Sequence, residues 1–417
     1  RREYMSFKEK VDYCLGCINK NCKMGCPLSN NITEAIRLAK DGNLEGAYKE
    51  FSKTSVLSSV CGRVCPHTKQ CQGKCVRGIK GESVQIGEIE TEIGDYGLYY
   101  NIPFENIEKS EKLDKKIAVI GSGPCGITCA AKLKALGVET VDLYEKKSYL
   151  GGLLIHGIPE FRLPKKIVKK TYDKIIDLGI NVYLNCELGK DIALESLIKK
   201  YDAIFLAIGA NVSTKMGIEG ENLDGVYGAN ELLEYKNYPD FEGKTVIISG
   251  GGNVAMDMSR TAKRLGAKNV FVVYRRAYEQ MPAETKEIKE AYDEGIDFLY
   301  QNNIVKILGK DKVEAIECIK TELVDKGEGR LSPVNVEGSN YNIDADYVIM
   351  AIGSKLEEKV VDEVTKDKWG KIQIDEEYKT NIDKVYAAGD AAGVKSTIAW
   401  ASFSGREAAV CIYNNLK

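Results

Sequence analysis

Eight of the thirteen cysteines fall between Cys14 and Cys75. They run Cys14-x2-Cys17-x4-Cys22-x3-Cys26-Pro27, then Cys61-x3-Cys65-Pro66, then Cys71-x3-Cys75. Zinc takes four ligands per ion, usually from paired C-x2-C motifs. Disulfides belong to oxidising compartments, and a secreted disulfide protein would staple its whole length. Iron–sulfur clusters take thiolates at short spacings, and a Cys-Pro step commonly carries a ligand of a second cluster. Two Cys-Pro steps and eight cysteines fit two four-iron clusters better than two zinc ions. Zinc and redox or structural thiols are the other readings. The five later cysteines, Cys125, Cys129, Cys186, Cys318 and Cys411, are scattered and read as packing residues.

Two glycine-rich turns supply a second chemistry. Gly121-Ser-Gly123-Pro124-Cys-Gly126 follows the apolar run Lys116–Ile120. In G-x-G-x-x-G the first glycine makes the turn, the second admits a pyrophosphate and the third packs helix on strand. The phosphates sit on the helix N-terminus. Glu145, 24 residues after Gly121, ends the next strand and can accept ribose hydroxyls. Gly250-Gly-Gly252-Asn253-Val254-Ala255 repeats the pattern after Val246–Ser249. Its next strand, Val270–Tyr274, ends in Arg275-Arg276. An acid there favours NAD, whereas Arg accommodates a 2′-phosphate. The pair therefore favours NADPH over NADH; a solvated basic pair at a strand end is the other reading.

The elements that must position these residues alternate. Strand candidates are 116–121, 141–144, 203–207, 244–250, 270–274, 347–351 and 385–388. Helical stretches are 164–178, 253–265, 284–294 and 402–416. This is the α/β pattern of doubly wound parallel sheets. Upstream, Ile32, Ala35, Ile36 and Ala39 share one helical face, and a second short helix covers Leu44–Phe51. Residues 1–100 show too little apolar surface for an ordinary core, so the cysteines are expected to hold something that serves as one. Residues 101–115 read as a polar connector.

At 417 residues the chain has room for two to four domains. A net charge of −2 argues against nucleic acid as a partner. No apolar run is long enough to span a membrane. Arg1–Tyr4 lacks the apolar core of a secretory signal, and the absence of an initial Met suggests a trimmed start. A cytoplasmic location is expected. Only His67 and His156 are present, which argues against histidine acid–base chemistry; His156 is expected to pack or bond structurally, a place beside a bound cofactor being the other reading.

Cys14–Pro27, Cys61-Gly-Arg-Val-Cys65-Pro66 and Val84-Gln-Ile-Gly-Glu-Ile-Glu90 resemble the N-terminal domain of the glutamate synthase small (beta) subunit family of NADPH-dependent FAD/iron–sulfur oxidoreductases. The domain also occurs in dihydropyrimidine dehydrogenase and in the large subunit of NADH-dependent reduced ferredoxin:NADP oxidoreductase. The likeness continues through Gly151–Lys165, Tyr274–Glu284, Ala351–Gly353, Val385–Asp390, Ser396–Ile398 and Gly405-Arg406. It implies an α-helical iron–sulfur domain followed by two Rossmann-like dinucleotide-binding domains, the NADPH domain inserted in the FAD domain. The implied bounds are 1–110 for the double [4Fe-4S] domain, 111–235 and 345–417 for the FAD domain, and 236–344 for the NADPH domain.

The resemblance also implies roles. One [4Fe-4S] cluster would take Cys14, Cys17, Cys22 and Cys75. The other would take Cys26, Cys65, Cys71 and Glu90, with Cys61 spare; Cys61 in place of Glu90 is the other reading. Gly121, Gly123, Pro124, Gly126, Glu145, Gly152, Leu153, Arg162, Gly389, Asp390, Thr397 and Ile398 would hold FAD, with Asp390 at the ribityl–phosphate region and Thr397-Ile398 at the flavin ring. An ordinary Gly-Asp turn is the other reading of Asp390. Gly250, Gly252, Asn253, Val254, Arg275, Arg276 and Gly353 would hold NADPH. Ser354-Lys355-Leu356 departs from the family, where a Pro often follows the glycine.

The implied activity is an electron-transfer flavoprotein that oxidises NADPH and serves a catalytic large subunit, a small flavoprotein subunit or ferredoxin. Catalysis would rest on cofactors, not on side chains. No glutaminase or FMN-barrel segment is present, so glutamate formation by this polypeptide alone is not expected. A stand-alone or bifurcating NAD(P)H–ferredoxin oxidoreductase is the alternative enzyme, and a zinc- and nucleotide-binding regulatory module the alternative class. A disulfide reductase would need a reactive cysteine pair, and no C-x-x-C follows residue 75.

Overall fold

The apolar run before each glycine turn becomes the central strand of a parallel sheet. In the computed structural model, which describes residues 5–105, 112–327, 329, 331–357 and 361–417, the chain divides into two units. The first takes the described residues up to Ile155, then Glu160–Ala210 and Leu356–Lys417. The second takes His156–Pro159 and Asn211–Lys355.

The first unit's sheet has the order Val385–Ala387, Ala203–Leu206, Leu113–Ile120, Val138–Tyr144, Asn181–Tyr183, all parallel. Ile117–Ile120 is buried throughout, as a parallel strand covered on both faces must be. The second unit repeats the plan with Val226–Gly228, Tyr347–Met350, Thr245–Ser249, Asn269–Tyr274 and Asp297–Tyr300.

The insertion is longer than the expected 236–344. Val226–Gly228 pairs with Tyr347–Met350, which pairs with Thr245–Ser249. This ladder draws residues 211–235 and 345–355 away from the flavin-type domain. An antiparallel sheet of Asn302–Leu308, Ala315–Val324, Ser332–Asn335 and Tyr341–Asp344 was not foreseen. Its strands bury few side chains, Ile304 and Ile307 in one and Ile316, Cys318, Ile319 and Thr321 in the next, so no continuous apolar run announces them. Ile304, Ile307, Ile316 and Cys318 share a core with Ile247 and Val348 of the parallel sheet. The expected boundary at 110–111, residues 106–111 of the connector and Arg1–Tyr4 lie outside the described residues.

The expectation of a core-poor amino-terminal region is corrected. Helices Ile32–Lys40, Leu44–Ser52, Ser58–Val64 and Ile86–Tyr99 bury Ile32, Ile36, Tyr48, Phe51, Val60, Ile89 and Ile93. The last two helices pack through small residues: a Cβ added to Gly94 would meet the Ser59 nitrogen at 2.6 Å. Their glycines and cysteines hid them from a hydrophobic count. Among the described residues no helix is long and apolar enough to cross a membrane.

This helical domain is fastened to the first sheet's helices. Lys174, on Lys165–Ile176, donates to the Tyr48 hydroxyl at 2.9 Å, to the Gly97 carbonyl at 3.3 Å and to the Ile102 carbonyl. Its ammonium also lies 4.5 and 4.7 Å from the Tyr48 and Phe104 ring centres. Burial lowers its pKa from 10.5 to about 8. Between these values the unfolded chain binds more protons, so this group makes stability rise with pH there. Denaturant midpoints should therefore rise from pH 8 to 10 in the wild type relative to Lys174→Met; parallel pH profiles would contradict the buried-ammonium assignment.

Candidate functional site

The cysteines separate into two groups. Cys14, Cys17, Cys22 and Cys75 line one cavity, with Ile32, Ile36, Val84 and Ile86 as its apolar wall. Burial, followed by the charge of Cys14, pushes the Cys22 thiol up to about 11. In the second group, burial first and then Glu90 push Cys26 up to about 12. Cys71 is raised by the same two causes. Cys65 is raised by its hydrogen bond with Cys61, then by burial. Burial alone raises Glu90 to about 8.

Glu90 thus faces Cys26, Cys65 and Cys71, whereas Cys61 touches Cys65 and lies near Cys26. Asn30 donates to Glu90 at 3.3 Å and is itself held by the Thr54 hydroxyl at 2.6 Å. His67 lies 3.4 Å from the Cys71 sulfur through Nδ1 and 3.1 Å from the Gly62 carbonyl through Nε2. Neither Asn30 nor His67 was singled out from sequence, where each is one polar residue near a cysteine. Buried, mutually repelling donors suit a strongly positive centre that keeps them ionised. Among the described residues no three His, Cys, Asp or Glu converge as a single metal ion requires. A multi-iron cluster spreads its thiolates around a larger body.

The first glycine turn is built as expected. Gly121 has φ +100°, and a Cβ there would meet the Ala207 carbonyl oxygen at 2.5 Å. Gly123 caps the helix Pro124–Ala135, with open space where its Cβ would be. Gly126 packs on Gly121 and Gly152 on Gly123. Glu145 is buried and partly committed: it accepts from the Ser122 backbone at 3.0 Å and hydroxyl at 2.5 Å, and from the Lys147 N–H at 2.9 Å. The Ser122 hydroxyl also accepts from Gly151 at 2.9 Å, a role the glycine motif concealed. A carboxylate has about four acceptor directions, so one is left for a ribose.

At the same carboxyl end of the sheet, after the edge strand Val385–Ala387, Gly389 lies against Cys125 and donates to the Ser404 hydroxyl at 3.2 Å. Asp390 is half-buried, its carboxyl is raised by burial, and its buried Oδ1 has no hydrogen-bond partner. A buried oxygen in that state takes its donor from ordered water or from a bound molecule. Thr397 caps the helix Ile398–Leu416 by accepting from Trp400 at 3.3 Å. Leu153 is exposed. Arg162 reaches 3.5 Å from the Val64 carbonyl, beside Cys65.

Two contacts bring the cysteine block to this end. Gln70, next to Cys71, donates to the Thr397 hydroxyl at 3.3 Å. Arg406 donates to the Leu28 and Thr54 carbonyls, each at 3.0 Å. Gln70 has no sequence signature beyond its cysteine neighbour.

In the second unit, Gly250 has φ +137° and lies under the Ala351 carbonyl, 2.3 Å from an added Cβ. Gly252 caps the helix Asn253–Arg264. Asn253 accepts from the Glu284 N–H at 2.9 Å, and Val254 packs on the core. Gly353, at φ +142°, accepts from Thr214 at 3.0 Å. Arg275 is exposed at the end of Asn269–Tyr274, and Arg276 donates through Nε to the Leu331 carbonyl at 3.2 Å. Of the five later cysteines, Cys125, Cys129 and Cys318 are buried, but Cys186 and Cys411 are half-buried. His156 is buried, as expected of a packing residue.

Residues 115–408 match the family described as pyridine nucleotide-disulphide oxidoreductase. Residues 3–102 match that described as dihydropyrimidine dehydrogenase domain II, 4Fe-4S cluster. The chain is 35% identical to the glutamate synthase [NADPH] small chain of Escherichia coli (strain K12) over 98% of this chain and 91% of that one. It is 37% identical to the putative oxidoreductase AegA of the same organism, over 96% of this chain and 64% of that one. Mycobacterium tuberculosis FprA in complex with NADPH has the same fold, with TM-score 0.67 and 21% identity over 73% of this chain and 85% of that one.

The position of Glu90 gives a direct prediction. Iron per chain should fall in Glu90→Ala and hold in Cys61→Ser, measured on anaerobically purified protein. The reverse pattern gives the ligand position to Cys61.

Proposed function

The chain belongs to the pyridine nucleotide-disulphide oxidoreductase family and to that of the glutamate synthase small chain, oxidoreductases that use FAD, NADPH and a [4Fe-4S] cluster, and on that premise we propose that it oxidises NADPH and delivers single electrons through two clusters to a partner protein. The observation that carries this reading is the Gln70–Thr397 contact. It joins the loop between two cysteine ligands to the helix N-terminus expected at the flavin ring.

FAD, when bound, supplies the exchange between a two-electron donor and one-electron acceptors. The chain's own residues hold and polarise. The N-terminus of Pro124–Ala135 would take the pyrophosphate, and Glu145 the ribose. The free Oδ1 of Asp390 would accept from a ribityl hydroxyl. The positive end of Ile398–Leu416 would favour negative charge at the ring. Arg275, exposed at its strand end, would take the 2′-phosphate, and Arg276 keeps its remaining N–H groups beside it.

Cys14, Cys17, Cys22 and Cys75 would hold one cluster. Cys26, Cys65, Cys71 and Glu90 would hold the other. The second group neighbours Gln70, Arg406 and Arg162, so its cluster would lie on the flavin side and the first would lie outward. Disulfide chemistry is disfavoured: burial pushes Cys125 up to about 12 and raises Cys129 as well, and a reactive cysteine needs a lowered pKa. A zinc module is disfavoured by the match of residues 3–102 to a family described by a 4Fe-4S cluster.

Anaerobic NADPH should bleach the flavin absorbance and support reduction of an artificial dye; flavin that stays oxidised would overturn the reading. Losing a charge-assisted phosphate contact costs ~1.5–3 kcal/mol. Arg275→Ala with Arg276→Ala should therefore raise the KM for NADPH roughly tenfold or more while the NADH value changes little. Equal losses with both nucleotides would remove the 2′-phosphate assignment.

A further inference from the structure

Four large apolar side chains stand in solvent around the first cysteine group. Ile18 is 96% exposed, Met24 76%, Ile79 75% and Leu15 57%. Each lies within four residues of Cys14, Cys17, Cys22 or Cys75, the cysteines that line one cavity. The helix Asn21–Gly25, which carries Met24, packs on the turn Gln72–Lys74: a Cβ on Gly25 would meet the Lys74 side chain at 2.7 Å. Single exposed apolar residues are ordinary, but several around one centre mark an interaction site.

The charges beside them are mostly basic, with the acids Asp12 and Glu82 at the segment borders. Residues 13–33 and 51–81 contain eight Lys and Arg and no Asp or Glu, although acids outnumber bases in the whole chain. Several of the eight are used inside the domain: Lys53 pairs with Glu50, Arg63 with Asp95, and Arg77 bonds the Tyr13 carbonyl. Lys23, Lys74 and Lys80 are exposed, and among the described residues none of them forms an ion pair. Asp12, which borders the first segment, faces Lys40. An apolar centre with an unneutralised basic rim fits a partner of opposite design.

We propose that Leu15, Ile18, Met24 and Ile79, rimmed by Lys23, Lys74 and Lys80, form the electron-exit surface, and that its occupant is an acidic redox protein whose docking face has an apolar centre and a carboxylate rim. The inference rests on the electron-transfer reading and names its partner's chemistry. Complementary charge steers the encounter and fixes orientation, while the apolar centre holds the complex. The loop Cys65–Cys71 faces the flavin side, so the outward group at Cys14–Cys75 is the one left to meet a partner.

The test uses the holoprotein with an acidic plant-type ferredoxin as probe and basic cytochrome c as control. Zero-length carbodiimide cross-linking should join ferredoxin carboxylates to Lys23, Lys74 and Lys80. Charge reversal, K23E/K74E/K80E, should weaken ferredoxin binding roughly tenfold at low salt, and the difference should shrink as salt rises. Ile18→Asp should weaken it at every salt concentration. Both variants should keep the iron content and the NADPH-driven bleaching of the wild type. Cross-links confined to other lysines, or a charge-reversed protein that binds ferredoxin as tightly as the wild type, would overturn the proposal. Tighter binding of cytochrome c than of ferredoxin by the wild type would also overturn it. Wild-type protein without iron, or without NADPH-driven bleaching, would instead bring down the functional reading and this inference with it.

Discussion

A one-electron step weakens steeply with distance, so a cluster-bearing domain is useful only if it cannot drift from the flavin-type sheet. Here the two are joined by buried polar contacts. Lys174 drives an ammonium between Tyr48, the Gly97 carbonyl in the last turn of the helix Ile86–Tyr99 and the Ile102 carbonyl just beyond it. Arg406 draws on the Leu28 and Thr54 carbonyls. Gln70 meets the cap of the carboxy-terminal helix. A buried cation is costly unless its donors are satisfied. Separating the domains would strand several carbonyls and a hydroxyl at once. The contacts therefore specify one docking, and both cysteine groups inherit their place from it.

On the proposed reading, one local geometry at the two glycine turns would serve two ligands. Gly121 and Gly250 each lie against the carbonyl of a neighbouring segment, Ala207 and Ala351, with no room for a Cβ. What differs lies at the next strand's end. There Glu145 is buried and bonded to Ser122, whereas Arg275 stands in solvent. A buried acid ordered by its own turn suits a cofactor that stays, and an exposed guanidinium suits a nucleotide that comes and goes.

Much of this was legible in the chain because strand-then-glycine turns and closely spaced cysteines are dictated by local chemistry. The parallel strands around Ile117 and Val246 and the helices after each turn follow from local pattern, whereas the grouping of Cys14, Cys17, Cys22 and Cys75 was implied by the family resemblance. What escaped depends on contacts distant in sequence. Val226–Gly228 joins the second sheet only through pairing with Tyr347–Met350, which moved the domain boundary. The half-buried strands from Asn302 to Asp344 carry no apolar run. The core of the helical domain lay behind Gly94 and its neighbours. Ser122, Asn30, His67 and Gln70 are common polar residues that gain meaning only from what they touch.

The central claim is that electrons from NADPH reach the iron held by the cysteine block. It is tested most directly by anaerobic mixing with NADPH and freezing at successive times for paramagnetic resonance. Signals of reduced iron–sulfur centres should grow as NADPH is consumed and reach the level that dithionite gives. Iron that stays oxidised while NADPH is consumed would contradict it.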